Sequence, residues 1–473
     1  MTKSIFILFS LSLSIIMQAQ KIPQPKPGPA PEIKIKKPET FRLANGLKVL
    51  IVENHKLPQV SFNLTIDNSP YAEGNKKGVK SLTGRLLGKG SANIPKAVFF
   101  EEIDFLGARI NFYSDGATGN SLSKFSARIL ELLAEGSLHP NFSQEELDKE
   151  KAKLIESIRA DEKNVPTTAR RVENVLAFGK NHPFGEYISE QSVQNISLDD
   201  IKSNYNTYFV PENAYIVIIG DVNISETKAK VEELFGSWTK ASAPDLSYSD
   251  PKNVQYQQIN FVDMPNAVQS EIAVVNTVNL KMGDPDFFPS IIANQILGGD
   301  FNSYLNMNLR EAKAWTYSAY SNMGYGKFVD KFIATSSVRN AVTDSAVVEF
   351  VREIKRIRSE KVTEESLKNI KAGYIGRFVM NIEKPQTIAR YALNIETENL
   401  PADFYENFIR NLNAVTPEDV LRVANKYFLV DNTRIIITGK AAEVVPKLEQ
   451  LHIPIFFFDR FGNPTTKPEI KKT

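Results

Sequence analysis

Apolar residues fall along this chain in two rhythms. Short, nearly continuous runs at residues 48–52, 60–66 and 215–220 are bounded by turn residues and read as buried strands. Longer stretches with apolar positions three and four apart read as amphipathic helices. Strands and helices interleave within each half of the chain, which predicts an α+β fold.

The pattern also repeats. Residues 197–221 read SLDDIKSNYNTYFVPENAYIVIIGD and residues 416–440 read TPEDVLRVANKYFLVDNTRIIITGK. Aligned without gaps they share Asp200/Asp419, Asn206/Asn425, Tyr208/Tyr427, Phe209/Phe428, Asn213/Asn432 and Gly220/Gly439. Each has a Ser or Thr helix cap, an acidic first turn, a Tyr-Phe ending, an Asn turn and an apolar strand closing on Gly. Ser143 and Thr363 open a second matched pair of helices, carrying Lys151, Ala152 and Ile155 in one and Lys371, Ala372 and Ile375 in the other. A period this long is a duplicated domain, since solenoid repeats run to only about 20–50 residues. The expected copies are 39–239 and 258–442, joined by a Ser-, Pro- and Asp-rich linker at 240–257 and followed by a tail at 443–473.

The N-terminus adds a destination. Lys3, an apolar run from Ile5 to Met17 and Ala19 read as a secretory signal over residues 1–20, and the run is too short to span a bilayer. Residues 21–38 carry repeated Pro and Lys and read as an extended tether. The chain has no cysteine, so no disulfide or cysteine-linked lipid anchor is available. Export to a bacterial periplasm fits these features, with no transmembrane segment expected. The net charge of +2 gives no footprint for nucleic acid.

Metal chemistry is poorly provided for. The four histidines, His55, His139, His182 and His452, never lie three or four apart, so no helix face presents a His pair. His182 reads as a turn residue and His55 as a solvated loop residue. Gly298, Gly299 and Asp300 lack the Lys-Ser/Thr that would follow in a phosphate loop.

Several ordered motifs nevertheless point one way. Residues 41–50 (FRLANGLKVL), 78–91 (GVKSLTGRLLGKGS), 297–303 (LGGDFNS) and 306–311 (NMNLRE), with Thr316-Tyr317, resemble the pitrilysin/mitochondrial-processing-peptidase family of inverzincin metallopeptidases. The resemblance runs from about residue 40 to about residue 440. It implies two homologous domains, each a mostly antiparallel sheet with packed helices, together forming a clam-shaped chamber. The family's His-x-x-Glu-His zinc motif falls on residues 81–85, where the first ligand becomes Ser81, the general base Gly84 and the second ligand Arg85. Its third ligand, a Glu, falls near Ser157, beside Glu156. A hydroxyl, a hydrogen and a permanent cation cannot replace those ligands, so no metal is expected in this chain.

The second half keeps what the first has lost. The family's Leu-Arg-Glu…Tyr pattern falls on Leu309, Arg310, Glu311 and Tyr317, and the resemblance implies that Arg310 and Tyr317 match the Arg and Tyr that in relatives reach the substrate. From spacing alone Arg310 reads better as a surface ion pair and Tyr317 as core; the resemblance turns both towards the substrate. By the same resemblance, Ala108, Arg109, Ile110, Asn111 and Phe112 form the strand to which an extended peptide adds, although the sequence leaves open whether this strand is an edge. Two expectations follow. One is a zinc-free subunit that lends Arg310 and Tyr317 to a homologous, zinc-bearing partner in degrading extended peptides. The other is a peptide-binding or scaffold protein of the same fold without catalysis. No nucleophile–base pair suggests chemistry of the chain's own.

Overall fold

A computed structural model describes residues 38–469. The expected secretory signal and the tether up to residue 37 lie outside the described residues.

The alternation and the apolar runs resolve into two sheets. The first holds β1 (Glu39–Arg42), β2 (Lys48–Glu53), β3 (Gln59–Ile66), β4 (Arg109–Tyr113), β5 (Gly116–Leu122) and β6 (Ala214–Gly220) in the order β1-β2-β6-β3-β5-β4. All neighbours are antiparallel except β2 and β6. The second holds β7 (Gln258–Asp263), β8 (Gln269–Val278), β9 (Ala319–Met323), β10 (Asp330–Arg339), β11 (Arg434–Gly439), β12 (Ile455–Phe458) and β13 (Pro464–Thr465) in the order β13-β12-β7-β11-β8-β10-β9. Here β7 runs parallel to both β11 and β12. The series β2-β6-β3-β5-β4 and β7-β11-β8-β10-β9 have the same connectivity, so the sequence repeat is a repeat of topology. Every residue of β6 is buried, as a strand in a parallel pair covered on both faces should be.

The repeated motif works identically in both copies. Ser197 caps helix Leu198–Tyr208 and Thr416 caps helix Pro417–Tyr427. Each accepts a hydrogen bond from the backbone of an Asp three residues on, Asp200 or Asp419, whose carboxylate returns to the cap's N–H. These boxes fix where each helix begins. Phe209 and Phe428 then turn inward at the helix ends, both buried.

The halves exchange helices. Helix Val165–Phe178, from the first half, lays Val172, Ala177 and Phe178 on Val262, Ala273, Val275 and Ile436 of the second sheet. Helix Pro385–Thr397, from the second half, lays Ala389 and Ala392 on Leu50, Val52, Val217 and Ile219 of the first. One face of each sheet is therefore covered by the other half's helix. Lys331 of β10 seals one of these contacts by donating to Glu173 and Asn174.

Candidate functional site

Ser81, Gly84 and Arg85 lie on helix Val79–Leu86, which opens after Gly78 in a left-handed conformation (φ 112°). Val79, Leu82 and Leu86 anchor it against Leu147 and Leu154 of helix Gln144–Asp161 and against Val193, Ile196 and Ile201. Ser81 and Arg85, four apart, share the face away from that anchor. Gly84 faces the β4–β5 turn. A Cβ on Gly84 would sit 2.4 Å from the backbone nitrogen of Ser114 and 3.0 Å from the carbonyl carbon of Tyr113. The helix thus rests directly on the hairpin backbone, and the position of the general base has room for hydrogen alone.

Arg85 is exposed, and the carboxylate beside it is Glu150, 3.8 Å from its Nη1. Glu150 is almost fully buried and also meets Lys89 Nζ at 3.4 Å and Lys153 Nζ at 3.0 Å. Burial pushes its carboxyl up, yet the bond from Lys153 and the charge of Lys89 outweigh this and hold it below the usual range. Glu156 and Ser157 are exposed on the same helix. The carboxylate that the fold brings to the motif helix is therefore Glu150, one that sequence reasoning missed, and it is neutralised by three cations. Among the described residues, no group of three or more His, Cys, Asp and Glu side chains is arranged to hold a metal ion. A hydroxyl, a closed glycine and a guanidinium do not fit zinc.

The segment expected to receive a peptide is an edge. β4 pairs with β5 alone and ends the first sheet. Ala108 is buried just before it; Arg109 and Asn111 face solvent, and Ile110 and Phe112 are half-buried towards the helices. The other backbone edge of β4 is left without a strand, and helix Val79–Leu86 packs beside it. Such an edge accepts an extended chain through main-chain hydrogen bonds.

In the second half the structure brings Arg310 and Tyr317 together. Arg310 lies in a wide, π-helical turn at Met307–Ala312, a form frequent at functional sites. Its guanidinium carbon lies 4.7 Å from the ring centre of Phe301 and 5.9 Å from that of Tyr317, while Glu311 sits 3.4 Å from its Nε. Tyr317 is 91% exposed, so it does not serve as core. Between the two, Ala314 adopts a left-handed conformation (φ 51°), with its N–H donating to the Arg310 carbonyl and that of Trp315 to Leu309. This reversal returns Tyr317 to Arg310.

The platform beneath is polar and buried. The Asn308 amide donates to Glu349 at 2.7 Å and Glu353 at 2.6 Å, both on the inner face of helix Thr343–Ser359. Lys313, Arg352 and Arg356 neutralise these carboxylates. Ser336 ties the loop to β10 through Thr316. The sequence did hold a signal for this platform: Glu353 falls in register with Ala346, Phe350 and Ile357, on a stripe otherwise apolar.

The histidines serve elsewhere. His55 is exposed and bonds Asp221 at 2.7 Å, which raises its affinity for a proton. His182 sits in a turn where its Nδ1 accepts the Phe184 N–H.

Fold and site together define a duplicated two-sheet scaffold with a closed metal position in one half and, in the other, a half-buried cation beside an exposed tyrosine. The chain belongs to peptidase family M16: residues 48–186 match the family model described as Insulinase (Peptidase family M16), and residues 195–374 match the Peptidase M16 inactive domain. It is 23% identical to the Uncharacterized zinc protease YmxG of Bacillus subtilis, over 83% of this chain and 96% of that one. It is 21% identical to the Non-peptidase homolog YmxG of Helicobacter pylori, over 80% of this chain and 89% of that one. Among solved structures, a peptidase M16 inactive domain from Pseudomonas fluorescens shares the fold with a TM-score of 0.76 and 24% identity, covering 85% of this chain and 98% of that one. The periplasmic protease PqqL of Escherichia coli aligns with a TM-score of 0.69 and 14% identity, covering 93% of this chain but 51% of PqqL. Among the described residues no helix is long and apolar enough to cross a membrane.

Proposed function

We propose that this chain is an exported, zinc-free subunit of an M16-type peptidase that works with a homologous, zinc-bearing partner on extended peptides. The observation that carries this reading is the contrast between the halves. The base position is shut against a side chain at Gly84, whereas an exposed Tyr317 stands beside a half-buried Arg310 on a buried, paired platform. A chain that had merely lost function would have no reason to keep a strained loop that holds those two residues in contact. In the proposed complex Arg310 hydrogen-bonds a substrate carbonyl, and the Tyr317 hydroxyl donates to the oxygen that becomes negative as the peptide bond is attacked. The β4 edge aligns the peptide backbone, and such pairing tolerates varied side chains. The test is to purify the chain together with exported homologues that carry an intact His-x-x-Glu-His. Peptide cleavage by the mixture, and by neither protein alone at the same concentration, supports the reading; a partner whose activity is unchanged by this chain contradicts it.

A second reading, a peptide-binding protein without catalysis, is favoured by the open β4 edge and by likeness to a relative named as a non-peptidase homologue. Binding of unfolded peptides by the isolated chain, with no change when any zinc-bearing homologue is added, would support it instead.

A further inference from the structure

The second half contains a cavity of about 420 Å³ that the Arg310–Tyr317 site does not use. Helix Glu364–Ile382 contributes Tyr374 and Phe378, helix Pro385–Thr397 contributes Tyr391, and Tyr405, Phe408 and Phe287 complete most of the wall. The rings are ordered against one another: Tyr391 stacks on Tyr405 with centres 3.8 Å apart and planes 7° apart, and Phe378 on Phe408 at 4.2 Å and 9°. Stacked rings of this kind form a rigid apolar surface before any ligand arrives.

The polar part of the lining is one-sided. It consists of Arg377, Arg390, Asn381 and Asn394, with no Asp or Glu. Arg377 is occupied by Asp300 at 3.2 Å and Gln295 at 3.1 Å, and Asn394 donates to the Tyr405 hydroxyl at 3.0 Å. Arg390 meets the ring of Tyr391, 5.8 Å from its centre, and among the described residues no carboxylate pairs with it. Burial pushes the Tyr374 phenol up to about 12, so it stays a neutral donor. Cavities of roughly 300–1,000 Å³ with apolar walls and a few convergent polar groups are the usual form of a small-ligand site.

We propose that this cavity binds an aromatic carboxylate, its ring against the tyrosine and phenylalanine faces and its carboxylate on Arg390. The ligand chemistry has two sources, a free aromatic acid or the C-terminal residue of a peptide. The inference does not depend on the partner-subunit reading. Calorimetric titration of the full mature chain with N-acetyl-phenylalanine, N-acetyl-phenylalaninamide and a tetrapeptide ending in Phe tests it. The acid is expected to bind at least tenfold more tightly than the amide. Arg390→Ala should remove that preference while leaving the amide's affinity unchanged, and Arg390→Lys should restore part of it. Tighter binding of the tetrapeptide than of the free acid assigns the site to peptide C-termini, and the reverse to a free acid. Equal affinity of acid and amide, no binding of either, or an Arg390→Ala chain that binds the acid as before would overturn the proposal.

Discussion

Gly84 lies so close to Ser114 that a Cβ on the glycine would be 2.4 Å from the serine's backbone nitrogen. Backbone cannot swing aside as a side chain does, so any residue larger than glycine must push the motif helix off the hairpin. The same device recurs in the second half, where a Cβ on Gly298 would lie 2.3 Å from the backbone nitrogen of Ser321.

Restoring the zinc motif by Ser81→His, Gly84→Glu and Arg85→His is therefore expected to fail. The triple variant should lose about 2–4 kcal/mol of stability through overpacking and should not hold stoichiometric zinc. Urea melts and metal analysis check both points. The double variant Ser81→His/Arg85→His, which leaves Gly84 in place, should melt close to the parent. A triple variant as stable as the parent would show that the helix has freedom the contact denies it.

Because each sheet is covered by a helix from the other half, neither half should fold alone. Residues 39–257 expressed by themselves would expose Leu50, Val52, Val217 and Ile219, which Ala389 and Ala392 now cover. The fragment is expected to aggregate, and to become soluble when residues 258–469 are co-expressed. Size-exclusion chromatography of the separate and combined fragments decides this. Two independently monodisperse halves would contradict it.

Much of this architecture was legible beforehand. The paired motifs at Ser197 and Thr416 announced the duplication because cap, helix, turn and strand are local devices encoded within about 25 residues. The helix exchange was not legible, since Ala389 and Ala392 look like any small residues until the surface opposite is known. The Arg310–Tyr317 pair followed from resemblance, but Phe301 and the αL turn at Ala314 did not, because alanine gives no sign of a positive φ. The closure at Gly84 was equally hidden: the sequence records that a carboxylate is missing, not that the space is gone.

Ala314 offers a measure of what the loop stores. Its φ of 51° suits glycine better, so Ala314→Gly should relieve strain, offset in part by the entropy glycine adds to the unfolded chain. Stability is expected to change by no more than about 1 kcal/mol, whereas Ala314→Val should cost about 1–3 kcal/mol. Thermal melts of the two variants separate strain from simple truncation. A Val variant as stable as the parent would mean that the conformation is not enforced.

Asp286 sets an acid limit. Burial would raise its carboxyl, but hydrogen bonds from Lys426 at 2.7 Å, Arg422 at 2.5 Å and Tyr427 at 2.9 Å prevail and press it down to about 2. A depressed folded value means that the stabilisation is fully present above the unfolded carboxylate's range and is lost as pH falls through the folded value near 2. The contribution is about 2 kcal/mol. Comparing the parent with Asp286→Asn by urea melts at pH 6 and pH 2.5 should give a difference that shrinks by roughly two-thirds of that amount at the lower pH, where the folded carboxylate is still partly ionised. A difference independent of pH would remove Asp286 from the account.

In the proposed complex Arg310 and Tyr317 act in trans. The most direct measurement is peptide hydrolysis by the complex with a zinc-bearing homologue, reconstituted with the parent chain, Arg310→Ala or Tyr317→Phe, with complex formation checked by size-exclusion chromatography. Both variants should assemble normally. Loss of the tyrosine hydroxyl should lower kcat by about 10²–10³, as removal of one oxyanion donor does elsewhere, and Arg310→Ala should reduce kcat/KM by a similar factor. Complexes that assemble and cleave at the parent rate with either variant would contradict the claim.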